Sequence, residues 1–368
     1  MNWRIDKFLY QKEKSFWTKV LLFPLYLLSV PYRWAVQARN LSYKIHLLKP
    51  KHLPCPVISV GNITVGGTGK TPLVMALARG LIDRGIPVAI LSRGYKGKKT
   101  SGPLVSDGQA VFLSPEESGD EPFLMAKSLK GVPIIVGKDR FTNGQMALQR
   151  FGIRGLLLDD GYQHLQLHRD LNILLIDSQI GFGDHHLLPR GILREPLSHL
   201  RRAHLFLLTK VEHPGACQPL EAILREFHPS PQIFHSHYEP LDLIGPEAER
   251  EGLHFLKGKK ALVFSGIANS NYFSSLLKKC GTEIVKEVIF PDHHLYTTKD
   301  LNFIQKEVNK VDLIVTTEKD MVKLMELDIS HLPIRALRIG MKIWEEEEFY
   351  KRMMEIFSDK KKDTDETK

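Results

Sequence analysis

From residue 57 onward, short apolar runs alternate with stretches in which apolar residues recur every three or four positions. VISV (57–60), IPVAILSR (86–93), VPIIVG (132–137), IRGLLLDD (153–160), LNILLID (171–177) and AHLFLLTK (203–210) are almost continuously hydrophobic, as strands covered on both faces are. TPLVMALARGLIDRG (71–85) has helical spacing and closes on Gly85, a residue suited to a helix end. This alternation predicts an α/β fold with a doubly wound, mostly parallel sheet and ligands at the carboxyl ends of the strands. Around residues 212–258 the pattern loosens, with Pro214, Pro219, Pro229, Pro231, Pro240 and Pro246. Strand signals resume at KKALVFSGIA (259–268), EIVKEVIF (283–290), VDLIVTTEKD (311–320) and LPIRALRIG (332–340), predicting a second, smaller α/β lobe. The expected division is an N-terminal segment 1–52, a core 53–250, a second lobe 251–357 and a charged, disordered tail 358–368.

Before residue 57 the pattern differs. FWTKVLLFPLYLLSVPYRWAV (16–36) is a long apolar run containing Lys19, Pro24 and Pro31 and rich in aromatic residues. It is marginal for a spanning helix, which needs about 20 mostly apolar residues, and no small-residue cleavage site follows it. An interfacial or shallowly inserted helix fits better, with Trp17, Tyr26, Tyr32 and Trp34 at headgroup level. Charge strengthens this reading. The net charge is +9, and residues 1–52 hold ten Lys/Arg against two acids, so nearly all the excess lies where anionic phospholipid would be met. A nucleic-acid arm is not expected, because so long an apolar run does not suit a segment that tracks phosphates; nor is a protein partner. Three scattered cysteines, Cys55, Cys217 and Cys280, make no CxxC pair, which favours a reducing compartment and argues against a zinc site. The adjacent histidines of GDHH (183–186) and PDHH (291–294) lack the partners a zinc centre needs.

The candidate chemistry begins at VISVGNITVGGTGKTP (57–72). Thr64, Val65, Gly66, Gly67, Thr68, Gly69, Lys70 and Thr71 lie between a buried strand and a helix start, where a phosphate-binding loop belongs. The glycines let backbone N–H groups wrap an anion. Lys70 would reach the β- and γ-phosphates, and Thr71 would ligate Mg²⁺. The usual motif has glycine where Thr64 stands; threonine is tolerable there at negative φ. LLLDDGYQH (156–164) supplies Asp159 and Asp160 at a strand end, the place of a metal-holding carboxylate. A GTPase, an assembly ATPase and a small-molecule kinase share these features. LLTKVE (207–212) faintly resembles a guanine-reading motif, with Glu212 where an aspartate should be. Further along, SGDEP (118–122) offers Asp120 and Glu121, and PDHHLY (291–296) offers Asp292, His293 and His294. A carboxylate beside a histidine can take a proton from a hydroxyl nucleophile. Arg93 and Tyr95 in SRGYKG (92–97), with Arg140 in GKDR (137–140), suit an anionic, partly sugar-like acceptor.

Taken in order, GNITVGGTGKTP, LSRGYKG, GDEP, VGKDR, LDDGYQH, LLPRGILREPLSHLRRA, FSGIAN, FPDHHLYT and TTEKDMVKL resemble the tetraacyldisaccharide 4′-kinases of lipid A biosynthesis over roughly residues 57–325. In that family the offset-glycine loop is usual. The resemblance implies transfer of the ATP γ-phosphate, with Mg²⁺, to the 4′-hydroxyl of a tetraacylated glucosamine disaccharide 1-phosphate, at the cytoplasmic face of a bacterial inner membrane. It implies Asp120 as the base near that hydroxyl, with His293 paired to it. Glu121, Asp159 and Asp160 would serve the metal and phosphates, and Arg93, Tyr95, Arg140, Gln163 and His164 would line the acceptor side. Asn62, Arg194 and Glu195 lie in family motifs with their roles open. GFGDHHLLPRG (181–191) departs from the family pattern, so Asp184, His185 and His186 receive no role.

Overall fold

The computed structural model describes residues 15–94 and 102–366; Tyr95, expected on the acceptor side, and the Trp17 side chain lie outside the described residues. In chain order the elements begin with α1 (Phe16–Leu21), α2 (Phe23–Lys44), β1 (Val57–Gly61), α3 (Lys70–Asp83) and β2 (Val88–Ser92). Next come β3 (Leu104–Ser106), α4 (Pro115–Ser118), α5 (Asp120–Ser128), β4 (Ile134–Val136), α6 (Arg140–Phe151) and β5 (Gly155–Leu158). They are followed by β6 (Leu171–Asp177), β7 (Leu205–Thr209), α7 (Gln218–Phe227), β8 (Gln232–Ile244) and β9 (Arg250–Glu251). The last are β10 (Lys260–Ser265), α8 (Ser270–Lys279), β11 (Glu283–Ile289), α9 (Thr298–Gln305), β12 (Leu313–Thr317), α10 (Glu318–Leu324), β13 (Ile334–Ile343) and α11 (Glu346–Glu366).

The chain forms two compact units. The first comprises the residues up to Arg93, Gly137–His237 and those from Ile343 onward. Its strands run β8-β7-β6-β1-β5-β2, and every pair in that row is parallel. β1 is central and buried throughout, so the loop after it emerges at the carboxyl edge, between the ends of β5 and β6. The second unit comprises Gly94–Val136 and Tyr238–Lys342. There β11, β10, β12 and β13 pair in parallel, while β3 and β4 pair antiparallel. Two apolar clusters build this unit's core, one centred on Leu243, Leu256, Leu277 and Val315, the other on Phe264, Ile304, Ile314 and Leu324. The fold is α/β with mostly parallel strands, as the sequence pattern predicts.

Two segments differ from expectation. β8 runs for 13 residues through the proline-rich stretch, with Pro240 inside it. The tail expected to be disordered from residue 358 is helical through Glu366. It is anchored: the Phe357 ring occupies the space a Cβ at Gly155 would need, and the Lys360 ammonium pairs with Asp170 at 2.8 Å and donates to the Cys55 carbonyl.

At the other end, α2 has two faces. Ser29 is buried and donates to the Leu187 carbonyl, and the Tyr32 hydroxyl donates to the Arg194 carbonyl at 2.8 Å. Tyr32 therefore belongs to the inner face, against the first unit's core, and not with the headgroup-level aromatics expected of it. Phe23, Tyr26, Leu27, Leu28 and Trp34 are exposed. Among the described residues no helix is long and apolar enough to cross a membrane.

Candidate active site

The loop between β1 and α3 takes its shape from glycine at two points, Gly66 at φ 106° and Gly69 at φ 95°; both angles lie in the region that residues with a Cβ avoid. Thr64 does not share that region, which answers the question its position raises. It is buried and bridges to Leu193, while the Val65 N–H donates to the Ile192 carbonyl. Asn62 holds the loop from within. Its amide donates to Thr68 Oγ1 at 2.9 Å, its Oδ1 accepts from Lys70 Nζ at 3.3 Å, and its carbonyl accepts from Gln163 Nε2 at 2.9 Å. From below, Lys210 donates to the Gly67 carbonyl at 3.0 Å and forms a buried ion pair with Asp177, while Thr209 Oγ1 donates to the Thr68 carbonyl. Within the loop the Thr68 N–H donates to the Gly66 carbonyl at 3.1 Å, so with that of Val65 it serves the loop's own shape, and anion binding would fall to the other N–H groups.

Beyond β5 the chain turns sharply at Asp159–Asp160. A Cβ at Gly161 would stand 2.6 Å from Ser59 Oγ, so only glycine lets this turn close against β1. The two aspartates diverge. Asp159 is buried and accepts from Ser92 Oγ at 2.9 Å. Asp160, at φ 48°, points to Lys70 at 3.5 Å and accepts from Arg194 at 3.1 Å through both oxygens. Burial works to raise the Asp160 carboxyl, but Lys70, Arg194 and Arg140 outweigh it and hold it down at about 2. Arg140 is itself buried, and its guanidinium donates to the carbonyls of Asp159 and Asp160, so it braces this turn. Arg93 is exposed at the end of β2. The His164 ring is pushed down to about 4, by burial first and then by the charges of Arg140, Arg169 and Arg39.

In the second unit Asp120 opens α5 after Gly119, whose φ is 90°. His293 follows β11 at φ 58° and sets Nδ1 3.3 Å from Asp120 Oδ2. The neighbouring His294 points elsewhere, stacking on Phe290 and pairing with Asp300. From α10, Lys319 reaches Glu121 at 3.2 Å and Lys323 reaches Asp120 at 3.7 Å. Burial works to raise the Asp120 carboxyl, yet the hydrogen bond with His293 and the charges of Lys323 and Lys319 leave it below the usual carboxylate range. Behind them the fully buried Asp320 accepts from the Gly266 N–H, Thr317 Oγ1 and Lys323. Burial opposes the Lys319 ammonium, but Glu121 and Asp292 raise it above its ordinary range.

The family model described as tetraacyldisaccharide-1-P 4′-kinase matches residues 21–358. This chain belongs to that family. Two relatives of that name are those of Desulfatibacillum aliphaticivorans and Syntrophus aciditrophicus. The first is 41% identical over 88% of this chain and 90% of the relative; the second is 42% identical over 90% and 92%. Among solved structures, LpxK from Aquifex aeolicus, crystallised in complex with ATP, superposes with a TM-score of 0.74 at 36% identity, covering 92% of this chain and 99% of that one.

Of the residues expected from sequence, the first unit gathers Lys70, Asp160 and Arg140 around one turn, with Gln163 tied to the loop through Asn62. The second gathers Asp120, Glu121 and His293. Sequence reasoning assigned no role to Lys210, Asp177, Lys319 or Lys323. TKVE and TTEKDMVKL contain three of these four, but only the tertiary contacts give them positions around the loop and the carboxylate–histidine pair.

Proposed function

We propose that this chain transfers the γ-phosphoryl group of ATP to the 4′-hydroxyl of a tetraacylated glucosamine disaccharide 1-phosphate, at the cytoplasmic face of the bacterial inner membrane. The observation that carries the reading is the family match over residues 21–358; the geometry supplies the chemistry. Phosphoryl transfer needs positioning and neutralisation of charge more than covalent help. The loop's N–H groups and Lys70 bind the β- and γ-phosphates. Asp160 presents Lys70 and Arg194 as a pair of cations already oriented for that purpose. Asp120, kept anionic, accepts the 4′-hydroxyl proton, and His293 orients it. Gln163, His164 and the exposed Arg93 meet the anionic sugar.

Thr71, Asp159 and Asp160 of the first unit are hard oxygen donors of the kind that suits Mg²⁺, and these residues would hold it. When bound, the ion neutralises charge on the β- and γ-phosphates. The acceptor carries acyl chains and is met at a bilayer surface, where the exposed Phe23, Tyr26, Leu27, Leu28 and Trp34 of α2 lie in the interface beside anionic phospholipid.

The test is to incubate the protein with Mg-ATP and the disaccharide 1-phosphate lipid and to look by mass spectrometry for a product with one phosphate more than the acceptor, the 1,4′-bisphosphate. The expected result is that product, with Asp120→Ala lowering kcat by at least about 10²-fold. ATP hydrolysis that ignores the acceptor and yields no new lipid would end the reading.

A further inference from the structure

Lys319 and Lys323 stand one helical turn apart on α10, so both leave the same face and reach the same carboxylate–histidine cluster. They meet it differently. Lys323 lies between Asp320 Oδ1, at 3.0 Å, and Asp120 Oδ2, at 3.7 Å. Lys319 lies among Glu121 Oε1 at 3.2 Å, Asp292 Oδ1 at 3.6 Å and His293 Nε2 at 3.3 Å. An ammonium has three donors and no acceptor. A ring nitrogen that meets it within hydrogen-bond distance must offer its lone pair, so Nε2 is the acceptor. The ring's N–H is then Nδ1, the atom 3.3 Å from Asp120 Oδ2. The carboxylate of Asp292 stands farther off, its Oδ2 3.9 Å from Nε2, beyond hydrogen-bond reach.

We propose that Lys319 is a positioning residue for phosphoryl transfer: by donating to His293 Nε2 it fixes the Nδ1–H tautomer, and that N–H orients the Asp120 carboxylate through Oδ2, leaving the other oxygen to take the acceptor's proton. The inference rests on the reading of Asp120 as proton acceptor. It differs from a general packing role because it specifies which nitrogen of His293 carries hydrogen. In histidine–carboxylate pairs the wrong tautomer costs rate even when the geometry survives.

The deciding measurement is the ¹⁵N spectrum of the full-length protein labelled at histidine, with the His293 signals assigned by their loss in His293→Gln. The wild type should show His293 Nε2 unprotonated and Nδ1 protonated. Lys319→Met should give the Nε2–H form or a mixture, and kcat should fall about tenfold or more with the KM for ATP nearly unchanged. Lys319→Arg, which is also donor-only, should restore the wild-type tautomer and most of the rate. An Nε2–H tautomer in the wild type overturns the inference and needs no variant to fold. So does a Lys319→Met enzyme with wild-type tautomer and wild-type kcat. The underlying reading fails separately: Asp120→Ala with undiminished kcat removes the base, whatever the tautomer. An inactive Asp120→Ala beside a fully active Lys319→Met removes only the role of Lys319.

Discussion

At Asp160 one carboxylate serves two cations, Lys70 and Arg194, at 3.5 and 3.1 Å. A triphosphate would bring the same charge to the same pair. Asp160→Asn should therefore tighten ATP binding measured calorimetrically without Mg²⁺, while lowering Mg²⁺-dependent turnover by about tenfold or more. Loss of both together would show that the aspartate shapes the loop instead. Asn62 is the loop's internal brace, and Asn62→Ala strands the buried Thr68 hydroxyl. A destabilisation of about 1–3 kcal/mol is expected in denaturant unfolding. His164 gives a pH signature. Its folded pKa, about 4, lies below the ordinary value of about 6.5, so in the interval between them the unfolded chain binds the proton better. Its contribution to stability is complete above about pH 6.5 and is lost as pH falls toward about 4; His168 and His204 shift the same way. His164→Gln should flatten that limb of the stability curve, and an unaltered slope would mean that the proton goes elsewhere.

At the scale of elements, α11 shows how a charged helix becomes part of a core. Tyr350 donates to the Ala76 carbonyl and lies under the Arg84 guanidinium, and Phe357 fills the gap over Gly155. Phe357→Ala should cost about 3–5 kcal/mol in equilibrium unfolding. The strands that surround β1 were legible because each is a short, almost uninterrupted apolar run. Neither β8 nor the end of α11 was. Pro240 and the polar residues of QIFHSHYEPLDLI obscure a strand, and Lys360 finds its partner Asp170 at a distance of 190 residues along the chain, which composition cannot register. The same limit applies to the site. The positions of Lys70, Asp159 and Asp160 at the ends of strands or the start of a helix were legible because local spacing sets them. Lys210 under the phosphate loop and Lys319 beside His293 were not, because a lysine after a strand or on a helix reads as solvated surface until its neighbours are known.

For the whole molecule, the exposed face of α2 can be separated from its inner face. Leu27→Glu with Leu28→Glu leaves Ser29 and Tyr32 in place. Binding to vesicles containing anionic phospholipid should weaken by about tenfold or more in a sedimentation assay, while ATP affinity stays unchanged. Equal loss of both would indicate that the helix is needed for folding. The two units are interleaved along the chain: Gly94–Val136 of the second interrupts the first, and the residues from Ile343 onward return to the first. No contiguous stretch of the gene encodes the complete phosphate-loop unit by itself. A truncation after Lys342 would spare all of the Asp120–His293 unit yet strip α11 from the other. For the same reason, recombination between relatives can exchange the Asp120–His293 unit intact only by four crossovers at once, one pair around residues 94–136 and another around 238–342.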